Sequence, residues 1–158
     1  MTSTADILDE HDDRAAVCEL VLPQFGGVMA FSGVIATVRC HEDNVVLREC
    51  VSRPGNDRVL VIDGGGSLRV ALLGDNIAGI ARDSGWAGLV VNGCVRDVAA
   101  LRELEIGIRA LGSNPRRSTK NGGGETDVAV TFGGIAFTPG ATLYADEDGI
   151  VTMPSTSP

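Results

Sequence analysis

The chain has 158 residues, a formal net charge of −8 at pH 7, a sequence pI of about 4.6 and 44% hydrophobic residues. That length suits one domain with a core that needs no disulfide or metal staple. The acidic balance argues against direct nucleic-acid binding, which wants a broad basic face, and the one basic cluster is Arg116-Arg117 with Lys120.

No apolar run approaches the ~20 residues needed to span a bilayer. The opening Met1-Thr2-Ser3-Thr4-Ala5-Asp6 lacks the basic-then-apolar order of a signal peptide. Cys18, Cys40, Cys50 and Cys94 are far apart and form no C-x-x-C pair. They are expected as buried or half-buried thiols in a reducing cytoplasm.

In chain order, residues 4–10 suit a short helix capped by Thr4 with Asp6 in its first turn. Glu19-Leu20-Val21-Leu22-Pro23-Gln24-Phe25-Gly26-Gly27 suits a short strand ending in a Gly turn. Residues 31–40 are rich in β-branched side chains and predict a strand. Residues 43–52 alternate apolar and charged groups at helical spacing, until Pro54-Gly55-Asn56-Asp57 breaks the pattern. Arg58-Val59-Leu60-Val61-Ile62-Asp63 predicts a buried strand, with Gly64-Gly65-Gly66 as the loop after it. Residues 74–84 predict a helix that Gly85 ends.

Residues 87–92 predict a second buried strand. Gly93-Cys94-Val95 is read as a turn into a short helix over 96–104, and 106–111 as a third strand. Residues 112–124 read as a long exposed loop. A hairpin over 127–132 and 135–138 turns at Gly133-Gly134, and another over 144–153 turns at Asp146-Glu147-Asp148-Gly149. Residues 1–153 are thus expected to form one α/β domain, a central sheet flanked by helices, followed by a loose tail over 154–158.

Three segments carry possible chemistry. Val61-Ile62-Asp63-Gly64-Gly65-Gly66-Ser67 places glycines after a strand, but Arg69 breaks the G-x-G-x-x-G spacing of a dinucleotide loop. A tight connection between strand and helix explains it as well. Gly74-Asp75-Asn76-Ile77 opens a helix, whose free N–H groups and partial positive charge suit a carboxylate or phosphate; Asp75 equally suits an ordinary first-turn acid. Arg96-Asp97 follows a buried strand. Arg offers a planar fork to a carboxylate and Asp a hard oxygen to Mg²⁺ or Mn²⁺, but a salt bridge and helix cap would use the same pair.

Both polar segments lie at strand ends or helix starts, where α/β sheets gather ligands. Together they suit a small keto acid held beside a metal. His11 and His41 lack ligand spacing, and no G-x-S-x-G, H-E-x-x-H or Walker loop is present. The acids at 146–148 lack the twelve-residue calcium pattern.

Several stretches resemble the family of the regulator of ribonuclease E activity A and its relatives, the class II 4-hydroxy-4-methyl-2-oxoglutarate aldolases. They are Gln24-Phe25-Gly26-Gly27, Phe31-Ser32-Gly33, Thr37-Val38-Arg39-Cys40, Leu73-Gly74-Asp75, Val90-Val91-Asn92-Gly93-Cys94-Val95-Arg96-Asp97, Pro139-Gly140 and Asp146-Glu147-Asp148-Gly149. Gly74 and Arg96 are 22 positions apart, as the family pattern has them. The resemblance implies a swivelling ββα-type domain, a ring-shaped homotrimer and an active site between neighbouring subunits.

It also implies roles. Gly74, Asp75, Asn76 and Ile77 bind substrate through backbone N–H groups. Arg96 binds and polarises it, and Asp97 holds Mg²⁺ or Mn²⁺ largely through waters. The implied reactions are cleavage of 4-hydroxy-4-methyl-2-oxoglutarate to two pyruvates and decarboxylation of oxaloacetate, both through a pyruvate enolate. The implied partners are the 2-keto acid, further copies of the chain and ribonuclease E, whose basic RNA-binding segments would suit an acidic surface; neither nucleic acid nor membrane is expected.

Two departures stand out. Ala100 occupies a position where the family's aldolases carry an acid, and the C-terminal extension that the resemblance to those aldolases implies is not expected in a sequence that reads to Pro158. Some members carry a menaquinone methyltransferase label, which the failed glycine spacing argues against here.

Overall fold

The computed structural model describes residues 1–156. Helix α1 spans Thr4–His11 and is capped by Ser3, whose hydroxyl accepts from the Asp6 N–H at 3.1 Å. Thr4, expected as the cap, is instead buried: its N–H and hydroxyl donate to the Asp146 carboxylate at 2.8 and 2.7 Å.

Strand β1 is only Ala16–Val17. The short strand expected from Glu19 to the Gly26-Gly27 turn is reduced to an isolated bridge of Gln24 with Arg109, and Leu20 and Val21 stay exposed. Only Leu22 turns inward, and Pro23 has no N–H to give a ladder. The remaining elements are β2 (Phe31–Arg39), α2 (Val45–Val51), β3 (Val59–Asp63), β4 (Ala71–Leu73), α3 (Asp75–Asp83), β5 (Gly88–Val95), α4 (Val98–Leu101), β6 (Gly107–Ser113), β7 (Glu125–Thr126), β8 (Val130–Phe132), β9 (Ile135–Phe137), β10 (Thr142–Asp146) and β11 (Gly149–Met153).

The protein has a mixed α/β fold. Its main sheet runs β1-β11-β10-β2-β3-β5-β4, with β6 also on β5 and β7 also on β2. The half built on β2, β3, β5, β4 and β6 is parallel, whereas β10 joins β2 and β11 antiparallel. Strand β3 shows how the sequence makes two cores. Leu60 and Ile62 pack with Leu47, Val51, Ile77 and Leu101 on the helical face. Val59 and Val61 pack with Phe31, Phe137 and Leu143 on the other. A strand covered on both faces is apolar where it is covered, as Val59 to Ile62 of β3 and Leu89 to Val91 of β5 are; Asp63 and Asn92 come only at the far ends of those runs. The second face is closed by the β8–β9 hairpin, which turns at Gly133-Gly134 with positive φ at both.

Two packing details fix the sheet. The Phe31 ring lies where Gly88 and Gly107 leave room, and a Cβ at either glycine would overlap it. Trp86 is buried, with its indole N–H 3.2 Å from the carbonyls of Val51 and Arg53 and the Arg58 guanidinium 4.9 Å above its ring. All four cysteines are free and buried.

Two further expectations change. Strand β5 continues through Val95, so Gly93-Cys94-Val95 is strand rather than turn, and α4 is the single turn Val98–Leu101. The stretch 112–124 is tied down rather than loose, by bridges of Ala71 to Arg117 and Asp43 to Thr119. Of the tail expected over 154–158, residues 154–156 are exposed, and 157–158 lie outside the described residues. Among the described residues no helix is long and apolar enough to cross a membrane.

Candidate active site

Strand β4 pairs with the far end of β5, so the residues following each emerge together. The Arg96 N–H donates to the Leu73 carbonyl at 2.9 Å. One residue on, the Asp75 N–H donates to Asp97 Oδ2 at 3.1 Å. Asp97 takes a left-handed backbone conformation, φ 59° and ψ 42°. That kink turns its carboxylate back over the start of α3; such conformations cost free energy in non-glycine residues and cluster at functional sites.

Gly74 precedes α3 with no side-chain cap. The N–H groups of Asn76 and Ile77 make no hydrogen bond among the described residues. They and the helix dipole leave a positive end for an anion. The structure thus brings Gly74, Asp75, Asn76, Ile77, Arg96 and Asp97 to one polar cavity of about 160 Å³.

That cavity has a second wall. Arg48 of α2, Asn44 and the loop residues Arg117 and Lys120 also line it. Lys120 Nζ donates to Asn44 Oδ1 at 3.2 Å, and Asn44 Nδ2 donates to the Leu72 carbonyl at 3.0 Å. The loop is drawn onto β4 by the Ala71 N–H, which donates to the Arg116 carbonyl at 2.7 Å. Arg96, Arg48, Arg117 and Lys120 therefore face a cavity whose only lining carboxylates among the described residues are Asp75 and Asp97. In a chain of net charge −8, this is a local positive field that attracts anions.

Sequence reading had not assigned Asn44, Arg48, Arg117 or Lys120 to the site. The available signal was an isolated basic cluster in an acidic chain, set in a Gly-rich loop.

The other candidates lie apart from this cavity. The Gly64-Gly65-Gly66 loop spends its N–H groups internally: Gly64 and Gly66 on the Asn92 carbonyl at 3.1 Å each, Gly65 on Asp63 Oδ1 at 3.0 Å. It is a tight connection. His41 is exposed beside Glu42, and His11 is half-buried beside Glu10. Asp146 to Gly149 form the turn between β10 and β11. Burial there acts to raise the Asp146 carboxyl, but the Thr4 and Asp148 donors outweigh it and hold the group below its usual range.

A divalent cation is compatible with these donors. Among the described residues no three His, Cys, Asp or Glu side chains converge, so an all-protein cage is not what the site offers. Mg²⁺, however, keeps several waters and needs only one or two carboxylates. Asp97 is exposed to the cavity, and its Oδ1 makes no hydrogen bond among the described residues.

Fold and site together define an α/β protein with a polar cavity, lined by four cationic side chains, at the ends of its parallel strands. The chain belongs to the RraA-like family, described as aldolase/RraA, whose model matches residues 4–152. It is similar to a Geobacillus kaustophilus structure named as an S-adenosylmethionine:2-dimethylmenaquinone methyltransferase. Identity is 47%, coverage 98% of this chain and 96% of that one, and TM-score 0.95. It is also similar to the RNA-processing inhibitor RraA from Thermus thermophilus, with 42% identity, 100% and 96% coverage, and a TM-score of 0.95. A more distant similarity is to Streptomyces coelicolor RraAS2, named as an unusual member of the RNase ES inhibitor RraA family, with 26% identity, 97% and 80% coverage, and a TM-score of 0.80.

Proposed function

We propose that the protein is a divalent-metal-dependent lyase of small 2-keto dicarboxylic acids. It would cleave 4-hydroxy-4-methyl-2-oxoglutarate to two pyruvates, with oxaloacetate decarboxylation as a second activity. The observation that carries this reading is the single cavity in which the start of α3, Arg96 and Asp97 face Arg48, Arg117 and Lys120. A 2-keto dicarboxylate needs two anion sites with an electrophilic centre between them, and two cationic walls on either side of Asp75 and Asp97 suit that arrangement.

In this reading the Asn76 and Ile77 N–H groups bind the carboxylate next to the keto group, and Arg96 donates to the keto oxygen. The distal carboxylate meets Lys120 and Arg117. Mg²⁺ or Mn²⁺, held by Asp97 largely through waters, would add charge stabilisation at the keto oxygen. In the aldol substrate the C3–C4 bond breaks and its electron pair enters the keto group as an enolate. The 4-hydroxyl loses its proton and becomes the carbonyl of the second pyruvate, and the enolate takes a proton at C3. In oxaloacetate the bond to the departing CO₂ breaks instead and yields the same enolate. Arg96 stabilises the charge that develops on the oxygen, the interaction that accelerates such steps most.

Ala100 is exposed on α4 and does not line the cavity, so that helix adds no second carboxylate. Weak metal retention is expected in consequence. The same reading takes the working molecule as a cytoplasmic homotrimer with the site near a subunit boundary, and light scattering would give its mass. A coupled pyruvate assay with each substrate, with Mg²⁺ or Mn²⁺ and then chelator, tests the chemistry in wild type and Asp97→Ala. Activity that ignores both chelator and Asp97→Ala would refute the metal-lyase reading.

A second reading is a protein-binding regulator of ribonuclease E. It is favoured by the names of the Thermus and Streptomyces relatives and by the −8 charge. Binding measured at low and raised salt tests it; salt-independent capture would count against an electrostatic mode. The methyltransferase name of the Geobacillus relative finds little support in this chain, because the Gly64-Gly65-Gly66 N–H groups are already spent within the protein.

A further inference from the structure

Arg117 and Lys120 sit on a segment with little regular structure between β6 and β7, and like charges across the cavity push that segment outward. Something must hold it in. Asp43, just before α2, is 4% exposed. Its carboxylate accepts from the N–H groups of Asn121 and Gly122, the latter at 3.2 and 3.3 Å to its two oxygens, and shares the single proton of the Thr119 hydroxyl, 3.0 Å away, with the Glu42 carbonyl at 2.9 Å. It also accepts from the Val45 N–H, in the first turn of α2, at 3.1 Å. Burial acts to raise this carboxyl, but those donors outweigh it and the group stays below its usual range. Both the residue before Lys120 and the residue after it are therefore bonded to one anion. Neighbouring Asn44 receives Lys120 itself.

We propose that Asp43 is a positioning residue of the active site: its carboxylate clamps the 117–122 loop so that Arg117 and Lys120 face Arg96 and Asp97. The consequence for catalysis rests on the keto-acid reading of the cavity; the clamp itself does not. Asp43 lies behind the loop, away from the cavity lining, so it acts only through the residues it holds. The backbone pair between Thr119 and residues 42 and 44 survives its removal, so the loop loosens rather than unfolds.

The test compares wild type, Asp43→Asn, Lys120→Ala and the double variant. Asp43→Asn keeps the shape but turns an NH₂ group toward loop donors, losing charge-assisted bonds each worth a factor of about ten or more. Amide hydrogen exchange over residues 119–122 should speed up by about tenfold or more, with β5 unchanged. Oxalate affinity and the KM for oxaloacetate should weaken by about tenfold, with a smaller change in kcat. In the Lys120→Ala background the same substitution should weaken binding by clearly less than it does in wild type, because one of the two groups it positions is gone and only Arg117 remains.

Unchanged exchange at 119–122, or fully additive effects on oxalate binding and KM, would overturn the proposal. If Asp43→Asn does not fold, Thr119→Val removes one loop donor to the same carboxylate. It should move exchange in the same direction, and no movement there would overturn the clamp. If wild type turns over neither keto acid, the lyase reading fails, while loop exchange still decides the clamp.

Discussion

Replacing Gly74 by alanine should damage the site and spare the fold. The Gly74 backbone, φ −138° and ψ −152°, is extended and open to alanine, so conformational strain contributes little. Space is the difficulty. A Cβ there would overlap Asp97 Oδ2 and stand 3.1 Å from both Asp97 Cγ and Arg96 Cγ. Carbon contacts settle at about 3.5–4.0 Å, so the Asp97 carboxylate must retreat by roughly 1 Å or more to clear Oδ2. It is a side-chain tip exposed to the cavity and can do so cheaply, losing its bond from the Asp75 N–H.

The stability cost should stay near 1 kcal/mol, about one hydrogen bond. The catalytic cost should be larger, since a misplacement of about 1 Å is enough for a factor of about 100 in rate, or ~2.7 kcal/mol. Pyruvate release under saturating Mn²⁺ and urea unfolding measure the two. A variant that unfolds early yet keeps wild-type kcat/KM when folded would refute the reasoning.

Three further outcomes follow from other parts of the molecule. Lys120→Ala should raise KM for oxaloacetate about tenfold and leave the thermal midpoint nearly unchanged, because Lys120 is exposed and its one described bond is to Asn44; an unaltered KM would remove it from the substrate site. Gly107→Ala forces a Cβ into the Phe31 ring and should cost about 2 kcal/mol, or ~4–8 °C in Tm by calorimetry; Phe31→Leu should recover part of it. Asp146 has its folded pKa depressed, so its contribution is present above the unfolded value near ~3.9 and is lost as pH falls through the folded value. Asp146→Asn should therefore destabilise at pH 7 and flatten the acid dependence below about pH 4; urea midpoints that stay parallel to wild type across that range would contradict this.

What could be read in advance had local causes. Val59 to Ile62, Leu89 to Val91 and the helix from Asp75 carry their pattern in adjacent residues, so neighbours alone announce them. Strand β4 is only Ala71–Leu73 and exists because the end of β5 is there to pair with it; no local pattern reveals that. The helix expected from Arg96 starts late because the left-handed Asp97 postpones it until Val98, and Cys94 and Val95 stay in strand because they pair with β4 and β6. For the cavity, Gly74 to Ile77 and Arg96-Asp97 were visible as strand-end and helix-start segments and through family resemblance. Arg48, Asn44, Arg117 and Lys120 were not, since their place depends on a loop folded back across β4 and fastened by Asp43.

The pairing of Ala16 with Thr152 and of Phe31 with Ala145 has a consequence for how the molecule is made. The parallel half emerges first from the ribosome, yet the second face of β2 and β3 is finished only when β10 and β11 arrive. Contacts this distant along the chain must pay loop closure before they repay it, which slows folding. Until then Phe31, Val59 and Val61 lack part of their cover, an interval in which nascent chains are open to aggregation and to chaperones.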